Sequence, residues 1–180
     1  YQSSEINLLD VKLQTEIYSL GNFNCEKAVQ ENIDFADRIF EEAKILDKYE
    51  NANRLTQENL IIQHKKYDLL RTTLFLNSIK IKEKCRNSYF EVVYFYDFED
   101  TNFDTKAKQN VFSKLLTDLK EKKGDEILLI PIAGDTKISA INILMEKYNI
   151  HEEELPVILI DRRTKITKIQ TTEELLDYFE

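Results

Sequence analysis

The sequence predicts an N-terminal helical region over residues 1–86, followed by a small domain of mixed strands and helices over residues 87–180. Three observations support this division. The 180 residues include only three glycines and two prolines, which favours long helices over a loop-rich or all-β fold. Apolar residues repeat every three or four positions in the first half of the chain. From residue 89, dense β-branched and aromatic runs alternate with helical patterns.

The composition is that of a globular protein with an acidic surface. A net charge of -8 argues against nucleic acid as a partner, because phosphate binding needs clustered Lys and Arg. No apolar run approaches the ~18 residues that span a membrane. The chain begins at Tyr1 rather than Met. We therefore expect that a preceding segment was removed. This segment was either a signal peptide or membrane anchor that tethered the protein, or a stretch lost when the chain was trimmed.

The helical region contains three apolar stripes at helical spacing. Gly21-Asn22 ends the first helix, Asn24 caps the second, and Thr56 opens the third. The stripes are Ile6, Leu9, Leu13, Ile17 and Leu20; Cys25, Val29, Ile33, Ala36, Phe40, Ala43 and Leu46; and Leu60, Tyr67, Leu70, Leu74, Ile81 and Cys85. Short turns between distinct stripes predict antiparallel packing within one chain, as a helical hairpin or a three-helix region. A dimeric coiled coil is the alternative.

The apolar register of the second and third helices brings the two cysteines of the chain together. If these helices fold back near residues 54–56, residue i lies opposite residue 110 − i, so that Phe40 meets Leu70 and Cys25 meets Cys85. The register therefore predicts a structural disulfide, which indicates an oxidising, extracytoplasmic compartment. Two buried free thiols in a cytoplasmic protein are the alternative. The scattered His64 and His151 give no zinc-ligand spacing with these cysteines.

The second half of the chain predicts elements in the order βαβαββα. Strands are predicted over Tyr89–Phe98, Ile127–Ala133, Val157–Ile160 and Lys165–Ile169. One helix stops at Gly124, a second runs from Ile138 to Tyr148, and a third is capped by Thr172.

This order resembles the thioredoxin superfamily, and the best local match is the segment Tyr148–Ile160. In that family a helix ending in Tyr-x-Val/Ile leads to an apolar residue, a cis-proline and a buried strand; here these are Tyr148, Leu155, Pro156 and the strand after it. The resemblance covers about half the chain and implies a cis peptide between Leu155 and Pro156. Pro131 cannot donate to a central ladder, so its strand is predicted at an edge. The result is a minimal four-stranded sheet in the sequence order second, first, third, fourth.

The resemblance implies that a Cys-X-X-Cys pair would stand between the first strand and its helix. Residues 97–107 contain no cysteine, which predicts that the domain lacks thiol–disulfide exchange. The same window holds acidic and amide side chains, namely Asp97, Glu99, Asp100, Asn102 and Asp104. An acidic first helical turn explains these better than a calcium loop, because the EF-hand positions for Gly and Glu hold Thr105 and Val111.

These observations predict a non-catalytic protein-interaction or structural module that needs no cofactor or metal. The resemblance implies a groove beside the cis-proline that docks an extended peptide of a protein partner. Its candidate residues are Phe103, Thr105, Leu155 and Pro156. The alternative is a thiol–disulfide oxidoreductase or redox sensor that uses Cys25 and Cys85. A stalk or spacer without a small ligand is a third interpretation.

Overall fold

The computed structural model describes residues 2–86, 88–99 and 102–180, with side chains from residue 6 onwards. The chain divides into two compact units, Tyr1–Ser88 and Tyr89–Glu180. The first unit is helical, and the second contains a four-stranded mixed sheet with helices. In the described parts of the chain, no helix has a stretch long and apolar enough to cross a membrane.

The helical unit consists of α1 (Gln2–Ser19), α2 (Cys25–Asn51) and α3 (Gln57–Lys84). The predicted caps are confirmed: Asn24 Oδ1 accepts the Lys27 amide at 3.0 Å, and Thr56 Oγ1 accepts the Asn59 amide at 3.2 Å. These oxygens satisfy amide groups that have no partner inside the helix. Helix α3 packs against both α1 and α2.

Two details of the predicted helix packing are wrong. The α1 stripe from Ile6 to Leu20 points away from α3, and every member is more than half exposed. Phe40 is 59% exposed, and Ile39 is buried in its place. Both errors have one cause: each helix carries apolar residues on two faces, and tertiary contacts select the face that is buried.

The predicted cysteine pairing is present. Cys25, the first residue of α2, is bonded to Cys85, the residue that follows α3, and their Cα atoms are 5.5 Å apart. Ala28, Ile81 and Tyr18 form a buried cluster with Cys85. The bond therefore fastens the open end of the α2–α3 hairpin.

The described residues of the second unit form four strands and three helices in the order βαβαββα. The elements are β1 (Phe90–Tyr96), α4 (Phe103–Lys123), β2 (Ile127–Ala133), α5 (Ser139–Lys147), β3 (Val157–Ile160), β4 (Thr164–Ile166) and α6 (Thr172–Leu176). Short 3-10 turns lie at Gly124–Glu126, Glu152–Glu154 and Asp177–Phe179. The strand order is β2-β1-β3-β4, as predicted, with β1 parallel to β2 and antiparallel to β3. Strand β2 is an edge, which accommodates Pro131.

Several element boundaries differ from the predictions. Strand β1 begins at Phe90 rather than Tyr89, β4 begins at Thr164 rather than Lys165, and α5 spans Ser139–Lys147 rather than Ile138–Tyr148. Strand β1 ends at Tyr96, because the Gln109 side chain takes up the amide and the carbonyl of Asp97 at 2.6 and 3.1 Å. Strand β4 stops at Ile166, where its pairing with Ile158 of β3 ends, and does not reach the predicted Ile169. The cap of α6 is Thr171 rather than Thr172, since Thr171 Oγ1 accepts the Glu174 amide at 3.1 Å.

One face of the sheet carries an apolar core. Alternate residues of the strands, including Val92, Tyr94 and Ile158, pack against α4 and α6 in a cluster that also contains Phe112 and Leu175. This alternation follows from the two-residue period of a strand.

Helix α5 is buried through residues outside that cluster. These are Ile141, Leu144 and Met145. Met145 approaches Leu155 beside Gly134: a Cβ on this glycine would lie 2.9 Å from Met145 Sδ and 2.8 Å from Leu155 Cδ1. Leu155 precedes Pro156 through a cis peptide, as predicted.

Candidate functional site

An open cleft of about 560 Å³ lies at the carboxyl ends of β1 and β2. Because these strands are parallel, the loops that follow them meet at one edge of the sheet. The segment before β3 forms the third side of the cleft. The lining residues are Asp97, Glu99, Thr105, Asp135, Lys137, Glu152, Glu153 and Leu155.

The loop after β1 is held by side chains from two other elements. Asp135, which follows β2, accepts the amides of Phe98 and Glu99, both at 2.8 Å. Gln109 of α4 clamps the backbone of Asp97 from the other side. The Asp135 carboxylate therefore holds the loop after β1 in place and also lines the cleft.

The first turn of α4 brings Thr105 to the cleft. The Asn102 side chain caps this helix by accepting the amides of Asp104 and Thr105 at 2.9 and 3.3 Å. This cap stabilises the start of α4, because it satisfies two amides that have no partner within the helix.

The segment that carries Glu152, Glu153 and Leu155 is fixed by Glu154. Its carboxylate accepts the His151 amide at 3.0 Å and the Lys165 ammonium at 2.7 Å. Burial raises the pKa of Glu154, but the hydrogen bonds from Lys165 and from the His151 backbone outweigh it, so the net pKa is lowered. The ionised Glu154 thus anchors the loop to β4.

The cleft is strongly acidic. Of the eight described residues that line it, five carry carboxylates, and Lys137 is the one cation in this set. In the described parts of the chain, no group of three or more His, Cys, Asp or Glu residues is arranged to hold a metal ion. Asp100, which the sequence places in the same acidic window, lies outside the described residues. Five carboxylates around one ammonium group favour positively charged groups in the cleft.

The predicted groove residues are only partly brought together. Thr105 and Leu155 line the cleft, and the buried Pro156 follows Leu155 directly. Phe103 is 83% exposed at the start of α4 and does not line the cleft.

Sequence reasoning missed four lining residues: Asp135, Lys137, Glu152 and Glu153. Asp135 and Lys137 could have been found from the rule that loops after parallel strands meet at one edge. The run of three glutamates directly before Leu155-Pro156 was the signal for Glu152 and Glu153.

The cleft contains no thiol. Among the described residues no free cysteine is found, and both cysteines of the chain are joined to each other in the helical unit. The chain therefore places no sulfur nucleophile at the α4 N-terminus, where a lowered thiol pKa would support disulfide exchange. Comparisons of the chain with protein-family models, with curated proteins and with solved structures find no match.

Proposed function

We propose that residues 89–180 form a non-catalytic, thioredoxin-like module that binds an extended segment of a protein partner. The observation that carries the proposal is the open cleft beside Leu155, lined by carboxylates and lacking any thiol. The strand order β2-β1-β3-β4, with one helix crossing between β1 and β2, supports the resemblance to the thioredoxin superfamily. In that family the corresponding groove docks extended peptides.

The charge of the cleft supports a cationic partner segment. Glu152 and Glu153 are exposed on one wall, and Glu99 stands on the loop after β1. Lys or Arg side chains of an extended segment would lie between these walls and form ion pairs with carboxylates on both. Each such exposed pair contributes roughly 0.2–1 kcal/mol, so the acidic walls contribute selectivity more than affinity.

A calorimetric titration tests the binding proposal. The probe is a twelve-residue peptide of alternating Lys and Ser, with a Glu/Ser peptide of equal length as its counterpart. We expect the lysine peptide to bind and the glutamate peptide not to bind. Glu152→Gln/Glu153→Gln removes two cleft charges and should weaken binding by about three- to tenfold.

The matched control makes the same charge change outside the cleft. Glu121→Gln/Asp125→Asn neutralises two exposed carboxylates near the carboxyl end of α4, and wild-type affinity is expected. Equal weakening in both variants would show that the net charge of the protein, and not the charge of the cleft, determines peptide binding. Absence of lysine-peptide binding to the wild type contradicts the proposal.

The non-catalytic part of the proposal is tested by insulin reduction with dithiothreitol. Attack on a disulfide needs a thiolate, and the cleft offers none. We expect background turnover from the wild type and from Cys25→Ser/Cys85→Ser alike. Wild-type turnover well above background, lost in the double variant, would support an oxidoreductase that uses this pair.

We further propose that the protein works in an oxidising, extracytoplasmic compartment. The support is the Cys25–Cys85 disulfide, which uses both cysteines of the chain. Alkylation of free thiols in freshly lysed source cells, followed by mass spectrometry, should find the two cysteines unmodified. Full alkylation without prior reduction would place the protein in a reducing compartment.

A further inference from the structure

Helix α1 presents apolar residues on two opposite faces. The inner face carries Val11 and Tyr18, which are buried, and Thr15, whose hydroxyl hydrogen-bonds to Asn77 of α3. The outer face carries Ile6, Leu9, Leu13 and Ile17, and Leu20 continues the row in the turn after the helix. These five residues, here called the α1 stripe, are 57–82% exposed. A helix that is apolar on both sides is usually buried on both.

The α1 stripe is more than scattered surface apolarity. Single exposed aliphatic residues are ordinary, but four in one row on α1, continued by Leu20 in the turn after it, form a contiguous patch of the kind that marks an interface. Burying the stripe between two copies would remove roughly 1,000 Å² from water, near the lower limit for a specific interface. The size of the patch thus suits a partner that matches it along its full length.

The spacing of the stripe identifies such a partner. Successive members are separated by three, four, four and three residues, which reads the same in both directions along the helix. When two such helices pack antiparallel about a two-fold axis at Leu13, Ile6 of each meets Leu20 of the other. Leu9 then meets Ile17, and the two Leu13 residues meet each other. A surface that pairs with itself in this way is the requirement for a symmetric dimer.

The charged rim of the stripe fits the same arrangement. Lys12 and Glu16 are both exposed, and helical geometry places them on one side of the stripe. In the antiparallel pair, Lys12 lies within one helical turn of Glu16 of the partner copy. The symmetry produces two such ion pairs, both on the same rim.

We propose that the α1 stripe is the dimer interface between two copies of this chain, packed as an antiparallel helix pair centred on Leu13. The interface belongs to the helical unit, whereas the cleft belongs to the second unit. The stripe is exposed in the single chain, so its variants change association and leave the fold intact.

Sedimentation equilibrium of the full chain measures the association directly. We expect a dimer at micromolar concentration, and Leu9→Glu/Ile17→Glu should raise the dissociation constant by at least ~100-fold. Ile143→Glu, which alters an equally exposed apolar residue of α5, is the matched control and should remain dimeric. A wild type that is monomeric up to about 1 mM, or a dimer that Leu9→Glu/Ile17→Glu leaves intact, overturns the proposal.

The orientation is tested by charge exchange and by cross-linking. Lys12→Glu should weaken the dimer, and Lys12→Glu/Glu16→Lys should restore it. A mixture of Ile6→Cys and Leu20→Cys chains should form an intermolecular disulfide that neither forms alone. Cross-linking of each variant with itself would indicate a parallel pair and overturn the antiparallel arrangement. A monomeric wild type that cosediments with vesicles of anionic phospholipid would assign the stripe to a lipid surface and likewise overturn it.

Discussion

Glu91 is a fully buried charged residue on β1. Its Oε1 accepts the Arg162 guanidinium at 3.1 Å, and its backbone exchanges hydrogen bonds with Asp161. Asp161 and Arg162 have φ values of 47° and 60°, so the β3–β4 turn places both side chains toward β1. A buried carboxylate without its cation is strongly unfavourable, which makes the turn and the strand depend on each other.

A single variant and a double variant test this dependence. Arg162→Met removes the cation and should lower the free energy of unfolding by about 2–4 kcal/mol, measured by urea denaturation. Glu91→Gln/Arg162→Met removes the charge as well and should recover most of this loss. Equal losses in the single and double variants would show that the charge pair is unimportant.

His64 gives the helical unit a dependence on pH. Burial lowers the pKa of its imidazole, and the nearby Glu50 carboxylate, 3.8 Å away, opposes this only in part. Because the folded pKa lies below the ordinary value of 6.5, folding stability is full above that pH and is lost as the pH falls below it.

We expect the unfolding free energy of the wild type to fall between pH 7.5 and about pH 5.5. In His64→Gln this fall should be smaller, because the replacement has no proton to gain. Urea denaturation at several pH values, followed by far-ultraviolet circular dichroism, measures the difference. Identical profiles for the two proteins would remove His64 as the cause.

At the level of elements, the sequence pattern correctly predicted those strands and helix caps that depend only on residues close together in the chain. Strands β2 and β3 have the predicted bounds, and Asn24 and Thr56 cap the predicted helices. The outward stripe of α1 could not be predicted, because the face that meets α3 is chosen by contacts such as Thr15 with Asn77. The early end of β1 likewise depends on Gln109, twelve residues away in sequence from Asp97.

The cap of α4 connects an element to the cleft. Asn102→Ala removes the acceptor for the Asp104 and Thr105 amides and should lower stability by about 1 kcal/mol. Hydrogen exchange should show loss of protection at these two amides, with β1 unchanged. Asn102→Asp keeps an acceptor oxygen and serves as the control. Unaltered protection in Asn102→Ala would mean that the cap does not hold this turn.

At the scale of the whole molecule, the disulfide lies within one of the two units. It joins residues 60 positions apart within the helical unit. Cys25→Ser/Cys85→Ser should lower the stability of that unit by roughly 2–4 kcal/mol, through the larger freedom of its unfolded chain. Hydrogen exchange should show weaker protection in α3 and unchanged protection in β1. An equal loss in both would contradict the confinement of the effect to the helical unit.

The sequence predicted only part of the cleft, because strand pairing within the second unit brings some of the cleft residues together. Thr105 and Leu155 follow from the resemblance, whereas Asp135 and Lys137 are brought to the cleft by the parallel pairing of β1 and β2. The disulfide could be predicted from the sequence, because the predicted apolar register near Val29 and Ile81 is correct at that end of the hairpin.

The central claim is that the cleft binds a cationic segment and that thiol chemistry plays no part in it. The most direct test is the affinity of the Lys/Ser peptide for the oxidised wild type and for Cys25→Ser/Cys85→Ser, measured by calorimetry. We expect both proteins to bind the peptide with the same affinity, and we expect Glu152→Gln/Glu153→Gln to weaken binding in either background. Binding that is absent from the wild type, or that depends on the cysteine pair, would contradict it.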